Sequence, residues 1–330
     1  MNAIARTARG LLFAALAALA LPAYAFDEFE LVAEAANRFA ANGHAVLMTA
    51  DRLHALLTDA DPANDPFLVS VCAPGDFAKA HIKGSINIPR GAFWKPGNLA
   101  KLPPKDRPIV TYCYTGTGAI GPAVVLNLMG YKTSQLEWSL MGWSRNDVAL
   151  GPATRFPESQ QDYPIAAPPK EVQMTYVRPA WATGKANLAE ILVARADAVE
   201  AADKTVCMTA EAVQALLTDA DLANDAYIVD IRAPADYARG HIKGAVNIPA
   251  AKVYQDCYLA MLPPARRIVV ADYNGQTAVG TSYVLSILGY NARGLQFGMM
   301  GWSKDDRVLG PHKRFPADSQ RDYPIVQVAK

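Results

Sequence analysis

The residue best placed to do chemistry is Cys113. It follows an apolar run, Ile109-Val-Thr-Tyr112, and opens a glycine-rich turn, Tyr114-Thr115-Gly116-Thr117-Gly118-Ala119. A turn of this kind between a strand and a helix can aim several backbone N–H groups at one point, forming an anion-binding nest. The start of the following helix adds partial positive charge at the same place. Both effects favour thiolate over thiol, and both would equally hold a terminal persulfide, Cys–S–S⁻. Gly116 and Gly118 allow the tight curl and the close approach of backbone to an anion. An inert buried cysteine is the alternative, and the strand–cysteine–turn–helix context argues against it.

The elements that must position this loop are legible around it. Residues 45–48, 67–71, 85–88 and 109–112 read as short buried strands. Thr49 can cap a helix that carries Leu53, Leu56 and Leu57 on one face. Residues 118–129 read as a second helix, ended by Gly130 in the left-handed conformation. Alternating strands and helices predict an α/β fold, a parallel sheet covered by helices on both faces. Ligands in such sheets sit at the carboxyl ends of strands, where Cys113 falls.

The whole arrangement occurs twice. His81-Ile-Lys-Gly84 and Asn87-Ile-Pro89 return as His241-Ile-Lys-Gly244 and Asn247-Ile-Pro249, and Met141-Gly-Trp-Ser144 returns as Met300-Gly-Trp-Ser303. The closing Asp-Tyr-Pro-Ile stands at 162–165 and again at 322–325. The offset is 160 in the early part of the repeat and 159 around the cysteine, one residue being lost after Pro263-Pro264. Two copies of so long a period mean duplicated domains rather than a solenoid. In the second copy the cysteine is replaced: Ala271-Asp272-Tyr-Asn-Gly275-Gln-Thr-Ala278. One chain thus carries a candidate nucleophile and its own natural substitution.

Composition narrows the setting. The 330 residues are 51% hydrophobic, and 32 Lys and Arg against 31 Asp and Glu leave no basic field for nucleic acid or an anionic membrane. Arg6 and Arg9, an apolar stretch over 11–21 and Ala23-Tyr24-Ala25 form the pattern of a cleavable export signal. That stretch is shorter than the roughly 20 residues a membrane span needs. The expected organisation is a signal peptide at 1–25, a domain at 26–165 with Cys113, a proline-containing linker at 166–185 and a domain at 186–330 with Asp272. The expected address is the bacterial periplasm, with no stable membrane insertion after signal removal. Cys72, Cys113, Cys207 and Cys257 do not recur between the halves, so they form no disulfide framework common to both. No C-x-x-C and no His/Cys spacing suits zinc, so no metal or cofactor is expected.

Both halves resemble rhodanese domains, the sulfurtransferase fold. The resemblance rests on the His-Ile-Lys-Gly and Asn-Ile-Pro motifs, the Cys113 loop, the turns Met129-Gly-Tyr131 and Leu288-Gly-Tyr290, and the closing Met-Gly-Trp, and it covers most of 45–165 and 205–325. It implies that Cys113 takes sulfane sulfur from a donor, holds it as a persulfide within the loop 114–119, and passes it to a thiophilic acceptor. It also implies that the Asp272 domain is inactive. The donor would be a small sulfane-sulfur compound or a persulfidated thiol or protein. Familiar two-domain members carry the cysteine in the second domain, whereas here it stands in the first. Their loops usually offer Arg or Lys to an anionic donor; the loop 114–119 has neither, and 73–80 has only Lys79. The family's Asp-x-Arg pair is kept as Asp230 and Arg232, and has become Ser70 and Cys72 beside the cysteine. Accessory candidates are Cys72, as a thiol that could resolve an oxidised Cys113, and Arg90 and Arg145, where the copy has Ala250 and Lys304.

Other readings of the same loop are open. A sulfur-carrier, redox or protein-binding module would use Cys113 without turnover. Gly116-x-Gly118-x-x-Gly121, with Glu137 beyond, matches a dinucleotide fingerprint, but the copy breaks it at Thr277 and puts Gln296 at the acidic position. A cysteine phosphatase would need an arginine about six residues after the cysteine, where Ala119 stands.

Overall fold

In the computed structural model the described residues are 27–43, 46–156, 160–166, 174–202, 206–312, 314–315, 323–324 and 326–327. The segment 1–25, expected from its sequence to be an export signal, lies outside them. The first half runs α1 (Glu28–Ala41), β1 (Leu47–Met48), α2 (Ala50–Thr58), β2 (Phe67–Ser70), α3 (Pro74–Lys79), β3 (Ala80–His81), β4 (Ile86–Asn87), α4 (Pro96–Leu99), β5 (Ile109–Tyr112), α5 (Ile120–Leu128), β6 (Thr133–Leu136) and α6 (Ser139–Trp143). The second half repeats most of it as α7 (Leu188–Ala202), β7 (Cys207–Met208), α8 (Ala210–Thr218), β8 (Tyr227–Asp230), α9 (Pro234–Arg239), β9 (Val246–Asn247), α10 (Asp256–Leu259), β10 (Ile268–Ala271), α11 (Gln276–Ile287), β11 (Ala292–Leu295) and α12 (Gly298–Trp302), and ends with β12 (Val326–Gln327).

Each half forms a five-stranded parallel sheet, ordered β1-β6-β5-β2-β4 and β7-β11-β10-β8-β9. Every residue of β5 and β10 is buried, as strands covered on both faces must be. The Thr49 hydroxyl accepts from the Arg52 amide at 3.3 Å and starts α2, whose Leu53 is fully buried. Gly130 adopts φ +89° after α5. That helix begins at Ile120, two residues later than the sequence pattern suggests.

The two halves share a core. Gly121 of α5 lies under the Tyr283 ring of α11, where an added Cβ would stand 2.8 Å from the ring, and Gly280 of α11 faces Ile120 and Val124 in return. Gly121 is therefore a helix-packing residue. The closing segments are exchanged between the halves. Trp302 donates through Nε1 to Pro164 O at 3.1 Å, and Ala166 bridges His241 through two backbone hydrogen bonds. Reciprocally, Trp143 donates to Pro324 O at 2.9 Å, Tyr323 stacks on His54 at 3.9 Å, and Val326 of β12 pairs with His81. The recurrent Met-Gly-Trp motif and the Tyr-Pro pair of each closing segment are thus two halves of one clamp, each domain gripping the other's tail, and the sequence boundary at 165 falls within a gripped segment. The following residues also pack: the Tyr176 amide donates to Ala260 O and Trp181 Nε1 to Leu288 O.

Candidate active site

Cys113 stands one residue beyond β5, at the carboxyl edge of the sheet, and is 5% exposed. Its amide donates to Ser139 Oγ at 3.1 Å, and its Sγ accepts from the Gly116 amide at 3.2 Å. Ser139 holds this position from the first residue of α6, with an unusual φ of +49° for a residue bearing a Cβ. Gly116 has φ +103° and Gly118 leaves room over the sulfur: a Cβ on Gly118 would lie 3.6 Å from Sγ. The rest of the loop is tied down. Tyr114 donates its hydroxyl to Asp76 at 2.8 Å and accepts from the Ala73 amide. Burial, with the Asp76 and Cys72 charges nearby, pushes its phenol well above the usual range. Thr115 is buried with its hydroxyl 3.4 Å from that of Thr117, and Ala119 O accepts from Thr111 Oγ1 at 3.0 Å.

The Asp272 loop displays what such a cradle can hold. The carboxylate accepts from the Gly275 amide through one oxygen and from the Ala278 amide through the other at 3.1 Å, and the Thr277 amide also bonds it. The corresponding residues around Cys113 are Gly116, Gly118 and Ala119. Burial outweighs these three amides, so the Asp272 carboxyl is raised to about 6, with Asp230 adding to the rise.

Arg90 is brought to the loop and Arg145 is not. Arg90 Cδ lies 4.0 Å from the Cβ position of Gly118, and its Nε donates to Glu200 Oε2 at 2.8 Å. Arg145 is exposed beyond α6. Glu200, on α7 of the other domain, is 3% exposed and also accepts from the Tyr283 hydroxyl, which accepts from Trp94 Nε1. Burial raises the Glu200 carboxyl while Arg90 and Tyr283 lower it. The cation absent from the loop sequence is therefore supplied by the segment after Pro89, already paired with a carboxylate from the second domain.

Cys72 follows β2, the neighbour of β5, and Ser70 pairs in register with Tyr112. The two cysteines leave adjacent strand ends; burial pushes the Cys72 thiol far up, and the nearby Cys113 adds to that rise. Cys207, at the start of β7, meets the same loop from the other side, its thiol close enough to feel Thr117, Arg90 and Cys113. All four cysteines are free thiols. Among the described residues no cluster of His, Cys, Asp or Glu could hold a metal, and no helix is long and apolar enough to cross a membrane.

Sequence reasoning missed Ser139, Glu200 and Cys207. A signal for two of them existed in the repeat: Glu200 corresponds to Ala40, and Cys207 to Leu47, just as Arg90 corresponds to Ala250.

A sequence profile of the rhodanese-like domain matches residues 49–146 and 209–305. The chain belongs to the rhodanese-like domain family, as two tandem α/β domains. Among solved structures it is similar to a thiosulfate sulfurtransferase from Pseudomonas aeruginosa, 18% identical over 84% of this chain and 48% of that one, with TM-score 0.30. This chain thus spans about half of that protein. It is also similar to a rhodanese-like domain protein from Staphylococcus aureus, 22% identical over 29% of this chain and 89% of that one, TM-score 0.27. A third is a full-length protein from Lactobacillus plantarum, 25% identical over 37% and 88% of the two chains, TM-score 0.26. No curated protein gives a significant match.

Proposed function

We propose that the protein is an exported, periplasmic sulfurtransferase that carries sulfane sulfur as a persulfide on Cys113. The observation that carries this reading is the Asp272 carboxylate, an anionic group with two acceptor atoms held by three backbone amides in the twin of the cysteine loop. On Cys113 the Gly116 amide meets Sγ, and Gly118 and Ala119 are the sequence equivalents of Thr277 and Ala278, whose amides bond the carboxylate in the twin. A persulfide is the two-atom anion that would use all three.

The reaction balances without an external oxidant. The Cys113 thiolate attacks the sulfane sulfur of a donor, R–S–S⁻ or R–S–SH. The Cys113–sulfur bond forms as the donor S–S bond breaks and R–S⁻ leaves. An acceptor thiolate or cyanide then attacks the outer sulfur, and Cys113 departs as thiolate. Fixed amide dipoles hold the anion without reorganisation in a site with little water. The Arg90–Glu200 pair sums to no net charge beside the loop, so the site offers a dianionic donor such as thiosulfate little attraction. We infer that a persulfidated thiol, small or borne by a protein, is the preferred donor.

The test is mass analysis of the full chain after exposure to glutathione persulfide, then to cyanide. The Cys113 peptide should gain about 32 Da, one sulfur, and lose it on cyanide as thiocyanate forms; Cys113→Ala should do neither. A wild type that forms no adduct and releases thiocyanate no faster than Cys113→Ala, with glutathione persulfide and thiosulfate alike, would favour a non-enzymatic module.

A further inference from the structure

The Cys113 sulfur is nearly sealed, and the wall that seals it carries a second thiol. The two domains meet about a pseudo-twofold arrangement in which each cradle loop faces the first strand of the other domain. At the Asp272 loop the facing residue is Leu47, which lines a cavity of about 360 Å³ with Asp272, Thr277 and Ala250. The residue equivalent to Leu47 is Cys207, and it takes the equivalent place: Thr117 of the Cys113 loop, Arg90 and Cys113 itself are the groups close enough to act on its thiol. Cys207 is half-buried, more open than Cys113. The cysteine loop therefore has a thiol where the aspartate loop has an inert leucine.

We propose that Cys207 is a relay thiol, which receives the sulfane sulfur from the Cys113 persulfide across the domain interface and presents it to the acceptor. This rests on the persulfide reading of Cys113. In the step, Cys207 Sγ attacks the outer sulfur of Cys113–S–S⁻. A Cys207–sulfur bond forms, the Cys113 S–S bond breaks, and the Cys207 thiol proton passes to the departing Cys113 sulfur. The products are Cys207–S–S⁻ and Cys113–SH; oxidation states are conserved and no co-reactant is needed. Burial pushes the Cys207 thiol up to about 11, with Thr117 and the Arg90 charge opposing the rise. Cys207 is therefore protonated at neutral pH and a weak nucleophile toward an external donor, the thiolate being the attacking species.

The experiment is a single-turnover load of the full chain with glutathione persulfide, quenched at intervals by alkylation and mapped by peptide mass. In wild type the additional sulfur should appear first on the Cys113 peptide and then on the Cys207 peptide. In Cys113→Ala the Cys207 peptide should stay unlabelled. Cys207→Ser, and Cys207→Leu as the variant that copies the other half, should keep sulfur on Cys113. Both should slow delivery to a protein thiol by about tenfold or more while leaving delivery to cyanide within about twofold. Sulfur that stays on Cys113 in wild type, that moves to Cys72 instead, or that labels Cys207 equally in Cys113→Ala overturns the relay. If the Cys113 peptide itself never gains sulfur, it is the sulfurtransferase reading that fails.

Discussion

The Cys113 and Asp272 loops are the same device run with different anions, and the protein around each has been adjusted to match. At Asp272 the carboxylate engages amides of the first turn of α11, which starts directly after Gly275. At Cys113 the sulfur accepts from Gly116, glycine stands at 118 in place of Thr277, and α5 starts only at Ile120. Two acceptor atoms wind the helix three residues closer to the strand than one does; glycine, a poor helix former, leaves the turn open. Ser139, whose hydroxyl supports the Cys113 amide, is Gly298 in the twin, where a Cβ would stand 2.6 Å from Asp272 Oδ1. The surroundings diverge in the same sense. Arg90, Glu200 and Cys207 gather at the cysteine, and Ala250, Ala40 and Leu47 are their equivalents toward the aspartate. Among the described residues the Cys113 loop gathers an arginine, a glutamate and a thiol where the Asp272 loop has two alanines and a leucine. The duplication thus lets the second domain complete the first domain's site while keeping a cradle of its own.

The sharpest way to break this contrast is to remove the nucleophile. Cys113→Ala should lower sulfur transfer by on the order of a thousandfold or more, to the uncatalysed rate with each donor. Asp272→Ala should leave transfer within about twofold, because the Asp272 cradle carries no transferable sulfur. Thiocyanate formation measured for both variants decides it; equal losses would mean that the loops act as one site.

A second test addresses the charge pair. Arg90→Ala leaves Glu200 buried without its cation, a change that costs about 3 kcal/mol or more, read as a lower urea midpoint. Glu200→Ala in the same chain recreates the alanine pair of the other half and should restore most of that loss. Glu200→Gln alone removes the negative charge of the pair, so the KM for thiosulfate should fall several-fold while that for glutathione persulfide changes less. Parallel changes for the two donors would refute the argument on donor charge.

The third test uses pH. The Asp272 carboxyl is raised to about 6 in the folded protein, so the folded state binds this proton more tightly than the unfolded chain does. Its contribution therefore favours folding below about pH 4 and declines as pH rises to about 6, by roughly 3 kcal/mol for a shift of about two units. Asp272→Asn should remove this decline. The difference between wild-type and variant stability curves across pH 4–7 reads it; a flat difference would mean that the amides balance burial fully.

Much of the fold was legible because local physics dictates it. β5 is a fully buried parallel strand, so its four β-branched or aromatic residues read as one run; the Thr49 hydroxyl starts α2 and the left-handed backbone of Gly130 ends α5. The onset of α5 was not, since it depends on how many acceptor atoms the residue before the loop supplies. Cys113 and the loop 114–119 were legible as a nest. Arg90 and Glu200 each differ from their equivalents in the other half, but nothing in the sequence joins them: Glu200 lies 110 residues away and meets Arg90 only because α7 packs against the segment after Pro89. Cys207 was hidden for the same reason. Single residues announce local roles, whereas a site made at a domain interface needs the docking geometry.

The smallest predicted effect concerns a feature that the halves share without change. Trp143 and Trp302 each donate one hydrogen bond to a carbonyl of the other domain's tail, Pro324 and Pro164. Phenylalanine keeps most of the ring and loses the donor, leaving a carbonyl whose partner is gone. Trp143→Phe and Trp302→Phe should therefore each lower stability by about 1 kcal/mol, and neither should alter the yield of persulfide on Cys113. Urea unfolding and peptide mass read the two quantities separately. If Trp143→Phe also depleted the Cys113 adduct while Trp302→Phe did not, the clamp on the cysteine domain would be part of its site, and the difference between the halves would extend beyond the loops and the side chains that surround them.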